Sequence, residues 1–128
     1  MLKRIKNLLK GSLFIVALII STTIVFLSLL KLPSSKINII NIDKAYHSIA
    51  YFALGTTWLF TYYKKPEKKY FIVICCIIFG IIIEVLQSRL TSYRTGDYVD
   101  AIANSCGVLL ALLIFNLFVK KNRLINDK

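Results

Sequence analysis

Four long apolar runs, separated by short charged or polar segments, constrain this chain more than any other feature of its sequence. The runs span about residues 11–32, 43–63, 70–90 and 97–119. A helix rises about 1.5 Å per residue, so about 20 residues cross the roughly 30 Å hydrocarbon layer of a bilayer. The sequence therefore predicts an all-α fold: a polytopic membrane protein built as a bundle of four transmembrane helices.

The composition is that of a chain whose main solvent is lipid. Of its 128 residues, 57% are hydrophobic, and the mean hydropathy is +0.69, which is too apolar for an ordinary water-soluble domain. The formal net charge is +11, but the basic residues flank the apolar runs instead of covering one helix face, so nucleic acid is not an expected partner. The length has room for one domain, which we expect to occupy residues 1–128.

The first run follows a basic start, a pattern that signal peptides and membrane anchors share. Its apolar stretch is longer than the usual signal-peptide core of about 7–15 residues, and no small-residue cleavage motif closes it, so we predict an uncleaved anchor. The cysteines lie inside apolar runs without the spacing of a zinc site or a disulfide framework. We interpret Cys75, Cys76 and Cys106 as packing residues.

Basic residues are distributed unevenly between the two predicted sides of the membrane. The N-terminal segment, the loop at 64–69 and the C-terminal tail hold most of them, whereas the other two connections are nearly neutral. Because cytoplasmic loops of membrane proteins are enriched in Lys and Arg, both termini are predicted to be cytoplasmic. We expect the basic loops to contact the anionic head groups of membrane lipids.

Acidic and polar residues collect near the opposite, outer ends of three predicted helices. Within each run they recur at spacings of three or four residues, which places them on one helix face: Asp43, His47 and Tyr51; Glu84 and Gln87; Asp97, Asp100 and Asn104. An ionisable side chain inside a membrane helix costs about 2.5–3.5 kcal/mol on insertion scales, so it rarely faces lipid. We expect the three faces to form one pocket that opens outward, with partners such as Lys44, Arg89 or Arg94 near its mouth.

Two kinds of chemistry fit these side chains. His47, flanked by Glu84 and Asp100, is a candidate general acid or base, and the same residues could ligate a divalent metal. The candidates for ligand binding are Asp43, Lys44, Tyr51, Gln87, Arg94, Asp97 and Asn104. No nucleophile or phosphate-loop motif accompanies them, so the sequence names no cofactor and leaves open whether the protein is an enzyme. A purely structural network of interhelical hydrogen bonds is the alternative.

The polar motifs, in this order on three apolar runs, resemble those of the VanZ-like family of bacterial membrane proteins. The matching residues lie within about 40–115 and read Asp43-Lys44-Ala45-Tyr46-His47 with Tyr51, Glu84-x-x-Gln87, and Arg94-x-x-Asp97-x-x-Asp100-x-x-x-Asn104-x-x-Gly107. The resemblance implies a multi-pass protein of the bacterial inner (plasma) membrane and an association with antibiotic resistance, specifically to teicoplanin. It implies no biochemical mechanism.

Three functional hypotheses are compatible with this pattern. The first is an outward-facing pocket that binds or modifies an amphiphilic envelope molecule. The second is a non-enzymatic protein that packs against another membrane protein through the small residues Gly107 and Ala111. The third is a small ion-coupled transporter, which the sequence favours least because it has no inverted repeat or broken helix. The sequence indicates no particular oligomeric state.

Overall fold

The structure, a computed structural model, describes residues 1–30, 42–91 and 98–128. Within these ranges the regular elements are helices, and no strand occurs. The elements are α1 (Leu2–Leu29), α2 (Ile42–Thr61), a 3₁₀ turn (Pro66–Lys68), α3 (Lys69–Leu90) and α4 (Tyr98–Asn126). The predicted all-α fold is confirmed.

The helix bounds agree with the predicted runs in the middle of the chain and differ at its ends. α1 begins at Leu2 instead of about residue 11, and α4 continues to Asn126 instead of about residue 119. The added residues are rich in Lys, Arg and Leu, which are good helix formers, so these helices continue beyond the apolar runs. The predicted helix stop at Pro33 lies outside the described residues.

Three helical segments are long and apolar enough to cross a membrane: α1, Pro66–Leu90 and α4. Their outer surfaces carry large hydrophobic side chains such as Phe26, Phe71 and Leu117, which are 62%, 69% and 57% exposed. Water-soluble proteins rarely expose so much continuous apolar surface, so these surfaces contact lipid. The chain is therefore a membrane protein. α2 is not among the three segments, because charged and polar residues occupy its first turns.

Successive helices alternate in direction. Lys44 and Phe60, near the two ends of α2, contact Asp100 and Phe115, which follow in the same order along α4, so α2 and α4 are parallel. α3 runs against them, since Lys69 at its start bonds to the C-terminal half of α4. α1 begins beside the residues that follow α2, with which it lines a groove. Both chain termini consequently lie at the same end of the bundle.

The two ends of the bundle differ in chemistry. The basic end carries the termini and the loop at 64–69, including Lys6, Lys10, Lys64 and Lys65 around one groove. The polar end is the opposite one, where α2 and α4 begin and α3 ends. The side of the membrane that each end faces stays a prediction.

α2 and α4 form the most closely packed pair of helices. A Cβ atom added to Gly107 would overlap the carbonyl oxygen of Ser48, and one added to Gly55 would lie 3.0 Å from the Cβ of Ala111. Small residues let two membrane helices approach this closely, and the hydroxyl of Ser48 adds an interhelical bond of 2.8 Å to the carbonyl of Ala103. The predicted use of Gly107 and Ala111 as a docking face for another protein is wrong, because α2 of the same chain covers that face.

Candidate functional site

Three helices bring charged and polar side chains together at the polar end. We call this set the polar cluster: Lys44 and His47 from α2, Glu84 from α3, and Asp100 and Asn104 from α4. Asn104 is 1% exposed and the Glu84 and Asp100 residues are also buried, whereas Lys44 and His47 are partly exposed. The cluster therefore has a buried side toward the bundle interior and an accessible side toward the end of the helices.

The imidazole of His47 lies at the centre of the polar cluster. Its Nδ1 is 3.0 Å from Oδ1 of Asn104 and 3.8 Å from Oε1 of Glu84. Its Nε2 is 3.9 Å from Oδ2 of Asp100 and 4.0 Å from Oδ1 of Asp43. One ring nitrogen thus faces the buried side of the cluster, and the other faces two aspartate carboxylates on the accessible side.

Asn104 connects the three helices of the site. Its Oδ1 faces Nδ1 of His47, and its Nδ2 donates to Oε1 of Glu84 at 3.5 Å. A carboxylate oxygen only accepts, so this orientation of the amide gives both of its ends a complementary partner. With this orientation of the amide, the hydrogen bond between His47 and Asn104 requires the proton to be on Nδ1 of His47.

Lys44 forms an ion pair with Asp100 that joins α2 to α4. The Nζ of Lys44 lies 2.9 Å from Oδ1 of Asp100, whose side chain is 11% exposed. A buried carboxylate needs such a partner, because desolvation of an unpaired charge is expensive. The pair occupies one carboxylate oxygen of Asp100, and the other oxygen faces His47.

Comparison with known proteins identifies the family. Residues 4–119 match the VanZ/LLP1 family. The chain belongs to the VanZ/LLP1 family. It is 37% identical over 115 residues to an uncharacterised protein of Schizosaccharomyces pombe, a match that covers 88% of this chain and 65% of that relative. The chain thus spans less than two thirds of the length of its yeast relative, and no solved structure matches it.

The VanZ-like resemblance noticed in the polar motifs is confirmed by this match. Membership of the VanZ/LLP1 family and the apolar helices support a VanZ-like membrane protein. The association with teicoplanin resistance and the location in a bacterial inner membrane stay predictions. The yeast relative shows that similar sequences are not confined to bacteria.

Two further predicted binding residues of this VanZ/LLP1 protein, Asp43 and Tyr51, lie at the rim of the polar cluster and below it. Asp43 is at the rim, with a side chain that is 61% exposed. Tyr51 lies one turn deeper than His47, packed against Gly80 of α3, and none of the described residues hydrogen-bonds to its buried hydroxyl. Arg94 and Asp97 fall outside the described residues.

Gln87, which is predicted to share the pocket with Glu84, contacts α1 in the structure. Gln87 is buried, and its Nε2 donates to the carbonyl oxygen of Ser28, near the end of α1, at 2.9 Å. Three residues along a helix leave two side chains about 60° apart, which is enough for them to face different neighbours. Gln87 therefore fastens α3 to α1.

Sequence reasoning missed an apolar cavity between α1, α2 and α3. Its volume is about 660 Å³, and its walls include Trp58, Cys75, Cys76 and Phe79. Phe79 also packs against Tyr51, with ring centroids 6.2 Å apart, so the cavity ends close below the polar cluster. The only signal in the sequence is the aromatic content of α2 and α3, which is equally typical of a filled core.

Proposed function

We propose that the polar end of this protein binds the head group of an amphiphilic envelope molecule. The observation that carries the proposal is the number of ionisable groups in the polar cluster: Lys44, His47, Glu84 and Asp100. An interhelical hydrogen bond contributes about 0.6 kcal/mol on average, whereas an ionisable group in a membrane helix costs about 2.5–3.5 kcal/mol on insertion scales. Helix association alone is a poor reason for such a cluster, and ligand binding is a better one.

The apolar cavity supports an amphiphile in preference to a fully polar ligand. Its volume of about 660 Å³ falls within the range of about 300–1,000 Å³ that is usual for ligand pockets. Leu54, the lining residue of α2 nearest to His47, lies about two helical turns below it. Phe79 of the lining packs against Tyr51, which lies between them. An acyl or prenyl chain would lie in the cavity while its head group contacts the polar cluster.

Binding is proposed ahead of chemical modification. A hydroxyl or thiol nucleophile is activated by hydrogen-bond contact with a base. In the described part of the chain, the partners of the His47 ring are an amide and carboxylates. These groups can orient a ligand and balance its charge, which favours binding as the proposal.

We also propose that α2 is a fourth span, with the polar end outside and both termini in the cytoplasm. α2 has 20 residues, a length of about 30 Å that matches the hydrocarbon layer. It lies parallel to α4, a helix apolar enough to span, and contacts it from Lys44 to Phe60. The excess of lysines at the basic end favours the cytoplasm for that end. In a cysteine-free background, an impermeant thiol reagent added outside should label Ser92→Cys and leave Glu67→Cys unlabelled.

Mass spectrometry of the protein in membrane-derived nanodiscs tests the binding proposal. Wild type should retain a defined amphiphile, and His47→Ala and Glu84→Gln should each lower its occupancy at least about tenfold, a change of about 1.4 kcal/mol. Gln87→Leu is the matched control, because Gln87 is a buried polar residue one turn from Glu84 but bonds to α1. Circular dichroism and thermal melting check that each variant is folded. Absence of any defined amphiphile from wild type, or equal retention by all variants, would overturn the proposal.

A further inference from the structure

Three side chains at the accessible side of the site each present one ligand atom to the same small volume. The carboxylate oxygens of Asp43 and Asp100 and the Nε2 of His47 lie within 4.8 Å of one another. Bonds from a metal ion to nitrogen and oxygen ligands measure about 2.0–2.2 Å, so two ligands of one ion lie about 3–4 Å apart. The distances from Nε2 to the two carboxylates, 3.9 and 4.0 Å, are therefore close to those of a metal site.

The hydrogen bond between His47 and Asn104 determines which ring nitrogen can bind a cation. Since Nδ1 donates its proton to Asn104, the neutral ring has its lone pair on Nε2, the nitrogen that faces the aspartates. Histidines that ligate metals almost always donate the other N–H to a fixed acceptor. Asn104 is such an acceptor, because Glu84 holds its amide in place. This bond does not involve the two aspartate carboxylates, and it prepares the imidazole as a ligand.

The carboxylates of Asp43 and Asp100 differ in their surroundings, and both arrangements favour binding of a cation. Lys44 holds Oδ1 of Asp100 and thereby leaves Oδ2 toward His47. Asp43 is exposed at the rim, so an ion and its water molecules can reach the site from the end of the bundle. The described residues supply three ligands, and further coordination positions of an ion would take water or an anionic group.

We propose that Asp43, His47 and Asp100 bind a divalent first-row metal ion through Oδ1, Nε2 and Oδ2. A mixed set of imidazole and carboxylate ligands suits ions such as Mn²⁺ and Zn²⁺. The inference rests on the proposed function, because the ion would connect this site to a phosphate or carboxylate of the bound head group. Asn104 acts as a positioning residue for the ring and does not touch the ion.

Titration with Mn²⁺ tests the metal site. Mn²⁺ is the probe because it prefers oxygen and nitrogen ligands, so Cys75, Cys76 and Cys106 compete little for it. The full chain is purified in detergent without an affinity tag, treated with a chelator and titrated at neutral pH, with free Mn²⁺ measured by electron paramagnetic resonance. Wild type should bind one ion per chain.

The variants assign the bound ion to its ligands. His47→Ala and Asp100→Asn should each lower the affinity for Mn²⁺ more than about 100-fold, and Asn104→Ala should lower it about 10–100-fold, as for the loss of a partner behind a ligand. Glu67→Gln, which removes an acidic residue from the loop at the basic end, should leave the affinity unchanged. If Asp100→Asn fails to fold because it loses the ion pair with Lys44, Asp43→Asn at the exposed rim tests whether a carboxylate binds the ion.

The result that would overturn the metal site is an absence of saturable Mn²⁺ binding by wild type, or the same affinity in wild type and His47→Ala. Lipid analysis of the same chelator-treated sample distinguishes this failure from failure of the proposed function. If the protein retains an amphiphile but binds no Mn²⁺, the metal site is refuted and the proposed function stands. If the protein binds Mn²⁺ saturably but retains no amphiphile, before or after loading with the ion, the proposed function is refuted and the metal site stands.

Discussion

The interface between α2 and α4 and the attachment of α1 show two ways of holding a helix in the same bundle. At the first, backbones approach directly, with Gly107 against the Ser48 carbonyl. The buried residues of α1 are Ala17 and Ile24, and the helix is held by side chains, including the bond of 3.1 Å from Trp58 Nε1 to the hydroxyl of Ser21. The polar cluster depends on the first kind of contact, because backbone packing fixes the spacing of α2 and α4, whereas side-chain contacts can readjust.

The largest expected effect comes from Gly107→Ala. The added methyl group would overlap a backbone carbonyl, which cannot move without separating α2 from α4. Overpacking of this kind costs about 1–3 kcal/mol, and we expect the upper end of that range. Thermal unfolding in detergent measures the loss, and Mn²⁺ affinity should fall with it. A melting temperature equal to that of wild type would contradict the account of the α2–α4 interface.

An intermediate effect is expected when the polar link between α1 and α2 is removed. Ser21→Ala deletes the acceptor of the Trp58 N–H, a hydrogen bond between helices that should contribute about 0.6 kcal/mol. The same unfolding measurement applies, with Thr22→Ala as control, because the Thr22 hydroxyl bonds within its own helix and is exposed. A loss as large as that of Gly107→Ala would mean that α1 is as tightly coupled as α4.

The smallest effect, of opposite sign, is expected at Gly11 of α1. An added Cβ meets nothing within 4 Å there, so only the backbone preference changes. Alanine favours a helix interior over glycine by roughly 0.5–1 kcal/mol, and Gly11→Ala should raise the stability by about the lower value. Unfolding under the same conditions measures the gain. A destabilised Gly11→Ala variant would show that α1 packs more closely than the structure indicates.

The features that the sequence reveals are those with a local cause. Apolar runs predict helices because hydrophobicity and helix length are properties of a single segment. Spacings of three and four residues likewise assign His47, Glu84 and Asn104 each to the polar face of its own helix. The identity of the facing helix is a property of the assembled bundle. For this reason the sequence does not show that Gln87 bonds to α1. The small residues Gly107 and Ala111 likewise indicate close packing without indicating that the partner lies in the same chain.

The hydropathy of the sequence also indicates where the chain leaves the hydrocarbon layer, but it does not indicate where a helix ends. α1 and α4 therefore extend beyond their predicted bounds, to Leu2 and Asn126. The apolar cavity between α1, α2 and α3 was not predictable, because its residues resemble those of a filled core. The volume of the cavity depends on the distances between the three helices, and residue types do not predict those distances.

The parallel arrangement of α2 and α4 has a consequence for how the site arose and how it can change. Asp43 and Asp100 stand in the first turns of these helices, where a carboxylate complements the positive end of a helix dipole. Each residue therefore helps to begin the helix that carries it. A substitution there weakens the start of a helix as well as the site, so selection for folding alone would help to retain both carboxylates, even in a relative that has lost the ligand.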